Sequence, residues 1–87
     1  MSELTRNFLL EVLSEDLNLH PAELPDDLLL GSGGLGMESL SYVELGMHAH
    51  RRLGIQIPDP DLDQIASYTV GELLDYLDAR LGERETA

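Results

Sequence analysis

Ser39 stands where a glycine-rich stretch, Gly31-Ser32-Gly33-Gly34-Leu35-Gly36, gives way to a segment with helical spacing. A hydroxyl at that junction has two uses. It can cap the first turn, for serine is a favoured N-cap residue. It can also carry a covalent anionic group, because a helix start offers unpaired N–H groups and the positive end of the helix dipole. A phosphodiester on Ser39 would sit in that field, and the glycines before it would let a modifying enzyme reach the hydroxyl. Three other groups invite chemistry and are weaker. The glycine stretch spells G-x-G-x-x-G, and Asp59 follows about 20 residues later, as in a dinucleotide fingerprint. That fingerprint needs a strand before it inside a parallel sheet, and the residues before it have helical spacing. Asp59-Pro60-Asp61-Leu62-Asp63 opens like a calcium loop, but Gln64 replaces the required glycine and Val70 the closing glutamate. His48 and His50, two residues apart on a helix, point about 200° away from each other and cannot share a metal ion. No catalytic set can be defended, and no metal site is expected.

The elements that hold Ser39 follow from apolar periodicity. Residues 3–17 read as a helix with Ser2 as its N-cap. Leu4, Phe8 and Val12 form one row, and Leu9, Leu13 and Leu17 an adjacent one. His20-Pro21 should end it. Residues 21–37 read as a long loop punctuated by Pro21, Pro25 and glycines, with some of Leu28, Leu29 and Leu30 tucked onto the core. Residues 39–53 read as a second helix stopped by Gly54. Tyr42, Leu45, Gly46, Ala49 and Leu53 share one arc of it. Leu40, Val43 and Met47 lie on another, about 100–150° away. That second arc asks for either a wide core contact or a partner surface. Ile55-Gln56-Ile57 should be an extended connection closed by Pro58 and Pro60, and residues 61–66 a short helical turn. Residues 70–81 should form the last helix, opened by a Thr69/Glu72 capping box and ended by Gly82, with residues 83–87 frayed. The expected fold is all-α: a small antiparallel four-helix bundle, three long helices and one short, in a single domain with its core in residues 3–81.

Charge narrows the partners. The 87 residues carry 17 acids and five basic residues, all arginine, for a net charge of -12, and no cysteine. Such a surface repels phosphate backbones and anionic lipid, so neither nucleic acid nor membrane is an expected partner. The absence of cysteine removes disulfides, thiolate metal sites and a polypeptide thiol nucleophile. No signal peptide or spanning segment is apparent, so a soluble, cytoplasmic protein is expected; the expected state is a monomer. The charge is uneven: residues 1–37 and 54–87 each sum to -6, whereas residues 38–53 sum to zero.

Leu35-Gly36-Met37-Glu38-Ser39-Leu40, followed by Val43-Glu44-Leu45, resembles the L-G-x-D-S-L motif and following helix of acyl carrier proteins. Gly54-Ile55-Gln56-Ile57-Pro58-Asp59 and the later Thr69-Val70 match further landmarks of that family, so the likeness spans residues 3 to 81. The resemblance implies that Ser39, flanked by Glu38 and Leu40, receives 4′-phosphopantetheine from a separate phosphopantetheinyl transferase. The arm's thiol then carries acyl groups as thioesters, and the protein is a carrier rather than an enzyme. It also implies that the second helix is read by partners, the loading, condensing or tailoring enzymes. Leu40, Val43, Glu44 and Met47 would form the exposed face, with His50 and Arg51 at its far end.

Two departures qualify the likeness. Glu38 replaces the family's aspartate, keeping the charge but making a poorer cap. The segment His48-Ala49-His50-Arg51-Arg52 is basic where fatty-acid carriers are acidic. The expectation is therefore a specialised pathway, polyketide-like or hybrid, and a free-standing carrier, since Met1 leads almost directly into the first helix. An aminoacyl or peptidyl carrier of a nonribosomal pathway is the nearest alternative, and a non-covalent helical adaptor is the alternative from another class.

Overall fold

The computed structural model describes residues 3–16 and 24–86, with side chains described for 3–15 and 24–82. The helices are α1 (Glu3–Glu11, continued by a π-helical turn over Val12–Asp16), α2 (Ser39–Leu53), α3 (Asp59–Ile65) and α4 (Val70–Thr86). They form the expected all-α bundle of three long helices and one short.

In α1 the buried face is rotated from the expected one. Leu4 is 57% exposed, while Thr5 is fully buried with Phe8, Leu9, Val12 and Leu13. Burying a threonine requires a partner for its hydroxyl. Thr5 Oγ1 donates to Asp78 Oδ1 of α4 at 2.9 Å, which ties the two helices together. The π turn carries Val12 and Leu13, both in the core. Ser14 promotes it, because its Oγ donates to the Leu10 carbonyl at 2.8 Å and competes with the regular ladder. The proposed Ser2 cap, Leu17 and the His20-Pro21 stop lie outside the described residues.

The short helix begins two residues earlier than expected, at Asp59. Pro60 falls in its first turn, where a missing N–H costs nothing. The capping box of α4 forms: Thr69 N donates to Glu72 Oε1 at 3.0 Å and Glu72 N to Thr69 Oγ1 at 3.3 Å. Val70, Leu73, Leu74 and Leu77 are fully buried. Gly82 does not end α4, which continues to Thr86. One interior glycine costs about 1 kcal/mol against alanine, which is not enough to stop a capped helix.

The connection before α2 is more ordered than its glycines imply. Leu24, Leu30 and Met37 are buried, Leu28 is half-buried and Leu29 is exposed. Leu29 and Thr69 form an isolated antiparallel bridge. Val70 N donates to the Leu28 carbonyl at 2.8 Å and Gly71 N to the Asp26 carbonyl at 2.9 Å. The loop thereby satisfies N–H groups that the first turn of α4 cannot satisfy itself. Arg6 holds it from α1 through the Leu24 carbonyl and the Asp26 carboxylate.

Candidate functional site

The backbone of the glycine loop consumes its own donors. Gly34 and Gly36 N–H groups donate to the Gly31 carbonyl at 3.1 and 2.9 Å, Leu35 N to Leu29 and Met37 N to Leu30, each at 2.9 Å. Gly34 packs so tightly that a Cβ there would collide with the Leu29 carbonyl oxygen. These N–H groups are therefore not available to cradle a diphosphate, and the G-x-G-x-x-G spelling reflects a tight turn. The turn ends on buried Met37, which anchors the chain one residue before Glu38.

Glu38, not Ser39, occupies the cap position of α2, with extended backbone (φ -101°, ψ 170°) and no side-chain cap bond. Its carbonyl takes the N–H groups of Ser41 and Tyr42 at 2.9 and 3.3 Å. Ser39 is the first helical residue and is exposed. Among the described residues its hydroxyl has no hydrogen-bond partner, and the N–H groups of Ser39 and Leu40 have no acceptor. The capping use of Ser39 is thus not realised. Its hydroxyl faces outward beside unsatisfied donors at the positive end of a 15-residue helix. That arrangement suits an esterified phosphate.

A cleft of about 320 Å³ opens beside Ser39, between Tyr42 and Val43 of α2 and Asp59, Leu62, Asp63 and Ala66 of α3. The Tyr42 phenol lies against the Ala66 carbonyl at 3.5 Å, and burial raises its pKa above the ordinary 10.0. Gly46 lets Leu62 approach α2, since its absent side chain would lie 3.6 Å from Leu62 Cδ2. The outer wall of the cleft is held from α4. Tyr76 Oη donates to Asp61 Oδ2 at 2.6 Å, and Arg80 reaches the same oxygen at 2.8 Å. These bonds, Tyr76 first and Arg80 second, lower the Asp61 carboxyl below its ordinary 3.8. Burial and the Asp61 bond raise Tyr76. The calcium-like segment is therefore helical, with its central carboxylate already engaged. No group of three possible metal ligands occurs among the described residues.

Along α2 the two expected arcs separate cleanly. Tyr42, Leu45, Ala49 and Leu53 are buried, while Leu40, Val43 and Met47 are 66%, 47% and 54% exposed. Half-buried Glu44 and exposed His50 and Arg51 share the outer face with them, all six within an arc of about 120°. His48 lies off that arc and is half-buried. Arg52 turns to α1 and pairs with Glu11 at 2.8 Å. Gly54, at φ 69°, supplies the left-handed stop. Sequence reasoning missed Met37, the Leu62/Ala66 wall and the Tyr76–Arg80 clasp. The i, i+4 spacing of Leu62 and Ala66 was the available signal for the wall.

Ser39 is thus an exposed hydroxyl on the first turn of a helix, with spare donors and a small cleft alongside. Residues 7–77 match the model of the family described as phosphopantetheine attachment site, and the chain belongs to that family. It is a carrier and not itself a catalyst, and its prosthetic group is covalent 4′-phosphopantetheine. The chain is similar to proteins named acyl carrier protein. That of Wolinella succinogenes is 37% identical over 68 residues, covering 78% of this chain and 86% of the relative. That of Thermotoga maritima is 31% identical, covering 82% and 84%. That of Amoebophilus asiaticus is 33% identical, covering 97% and 100%. No solved structure gave a match. No helix among the described residues is long and apolar enough to cross a membrane.

Proposed function

We propose that Ser39 is the attachment point of 4′-phosphopantetheine and that the chain carries acyl groups for a specialised polyketide-type or hybrid pathway. The observation that carries the attachment is the hydroxyl of Ser39, exposed and without a partner among the described residues, beside two N–H groups without acceptors. Ser39 supplies the oxygen that a phosphopantetheinyl transferase esterifies. The N–H groups of Ser39 and Leu40 fit the phosphate, and Glu38 and Leu40 frame the approach. When attached, the arm supplies a thiol that holds acyl groups as thioesters, a chemistry the cysteine-free chain lacks. Tethering raises the effective concentration of the cargo at a partner's active site. Loading, condensing and tailoring enzymes would then read the outer face of α2. The specialised pathway is supported by the zero net charge of residues 38–53 in a chain of -12.

Incubation with coenzyme A and a broad-specificity transferase tests the attachment. The intact mass should rise by one phosphopantetheinyl group. Ser39→Ala should abolish the gain, and Ser41→Ala, one position beyond Leu40, should keep it. An unchanged mass for the native chain would contradict the proposal and favour a non-covalent adaptor.

A further inference from the structure

Arg51 stands apart from the other arginines whose side chains are described. Arg6 pairs with Asp26, Arg52 with Glu11 and Arg80 with Asp61. Arg51 is exposed and makes no ion pair among the described residues. In a chain of net charge -12, a cation left without a carboxylate is a local reversal of the surface field. Its position gives the reversal direction. Arg51 lies one turn beyond Met47, on the face shared by Leu40, Val43 and Glu44. Seven residues separate it from Glu44, or about 10 Å along the helix. Along this face Glu44 supplies the negative charge nearer the Ser39 end, Val43 and Met47 the apolar surface, and Arg51 the positive charge at the far end. A hollow of about 240 Å³ flanks its middle, walled by Val43, Met47, Ile57 and Leu62, with His50, Gln56 and Asp59 adding polar groups. It has room for an apolar side chain.

We infer that this face docks an enzyme surface of alternating charge: a basic residue opposite Glu44, an apolar side chain in the hollow, and a carboxylate about 10 Å further on opposite Arg51. The inference rests on the carrier reading, which supplies the reason for an enzyme to approach the Ser39 end. Charge complementarity selects this occupant over others. A uniformly basic rim would satisfy Glu44 but set a like charge against Arg51. A second copy of the chain would bring -12 against -12, and a phosphate backbone would meet the same repulsion.

The test uses the full-length apo chain and two purified condensing enzymes of known structure. One has a uniformly basic rim at its active-site entrance. The other has a basic residue and a carboxylate about 10 Å apart, the spacing of seven helical residues. Binding is measured by calorimetry at low and physiological salt. Arg51→Glu should weaken binding to the mixed rim about 3- to 10-fold and strengthen binding to the basic rim by a similar factor, both effects shrinking with salt. Replacing the partner's carboxylate by arginine should restore the affinity of Arg51→Glu. Unchanged helical circular dichroism checks that the variant is folded. Equal binding of native chain and Arg51→Glu to the mixed rim would overturn the inference, as would a native preference for the basic rim. The apo chain needs no arm to bind, so the two readings fail separately. A chain that accepts the arm but shows no charge pattern loses only the docking claim. A chain that shows the pattern but accepts no arm keeps the docking surface and loses the carrier reading.

Discussion

Helices α2 and α4 have similar apolar content and different uses for it. Every strongly apolar position in the first two turns of α4, Val70, Leu73, Leu74 and Leu77, is fully buried. In α2 the same kind of residue divides. Tyr42, Leu45, Ala49 and Leu53 enter the core, while Leu40, Val43 and Met47 remain at the surface. One arc suffices to dock a helix on a bundle, so an apolar arc beyond that need has another cause. In α4 apolar side chains stabilise the fold. On the outer face of α2 they are held in place by the fold and contribute little to it.

Stability measurements can break that contrast. Leu77→Ala should have the largest effect, about 2–5 kcal/mol of unfolding free energy lost, by transfer and cavity costs together. Thr69→Ala should cost about 1 kcal/mol by removing half of the α4 capping box. Asp61→Asn should act mainly through pH. The carboxyl of Asp61 is lowered in the fold by Tyr76 and Arg80. Its contribution is therefore present above the unfolded carboxyl pKa and is lost as pH falls through the lower folded value. The variant should show a shallower loss of stability on that acid limb, and the difference should be modest because the pair is solvent-screened. Met47→Ala should have the smallest effect, within about 0.5 kcal/mol, as for other exposed substitutions. Urea titrations of the four variants check the order. A Met47→Ala cost comparable to that of Leu77→Ala would remove the distinction between the faces.

The same contrast explains what could be read from the sequence. Both α2 and α4 were legible because their apolar positions repeat at the helical period, and even the division of α2 into two arcs follows from angles alone. The inner face of α1 was misread at Leu4 and Thr5. Periodicity ranks residues by hydropathy, and it cannot foresee that Asp78 would satisfy a buried threonine hydroxyl. The π turn at Ser14 and the bonds from the loop to Val70 and Gly71 depend on individual side-chain and backbone partners. Helix ends failed for a related reason. Pro60 is tolerated in a first turn, and Gly82 is too small a penalty to end a helix. At the candidate site, the position of Ser39 was legible from its motif, whereas its exact place on the helix was not. The cap falls on Glu38, and this is what leaves the serine hydroxyl facing outward.

Locating the arm by peptide mapping is the most direct test. After treatment with coenzyme A and a transferase, proteolysis and fragmentation should place the phosphopantetheinyl group on Ser39, with Ser32, Ser41 and Ser67 unmodified. A group found on any of those serines, or on none, would contradict the assignment of Ser39.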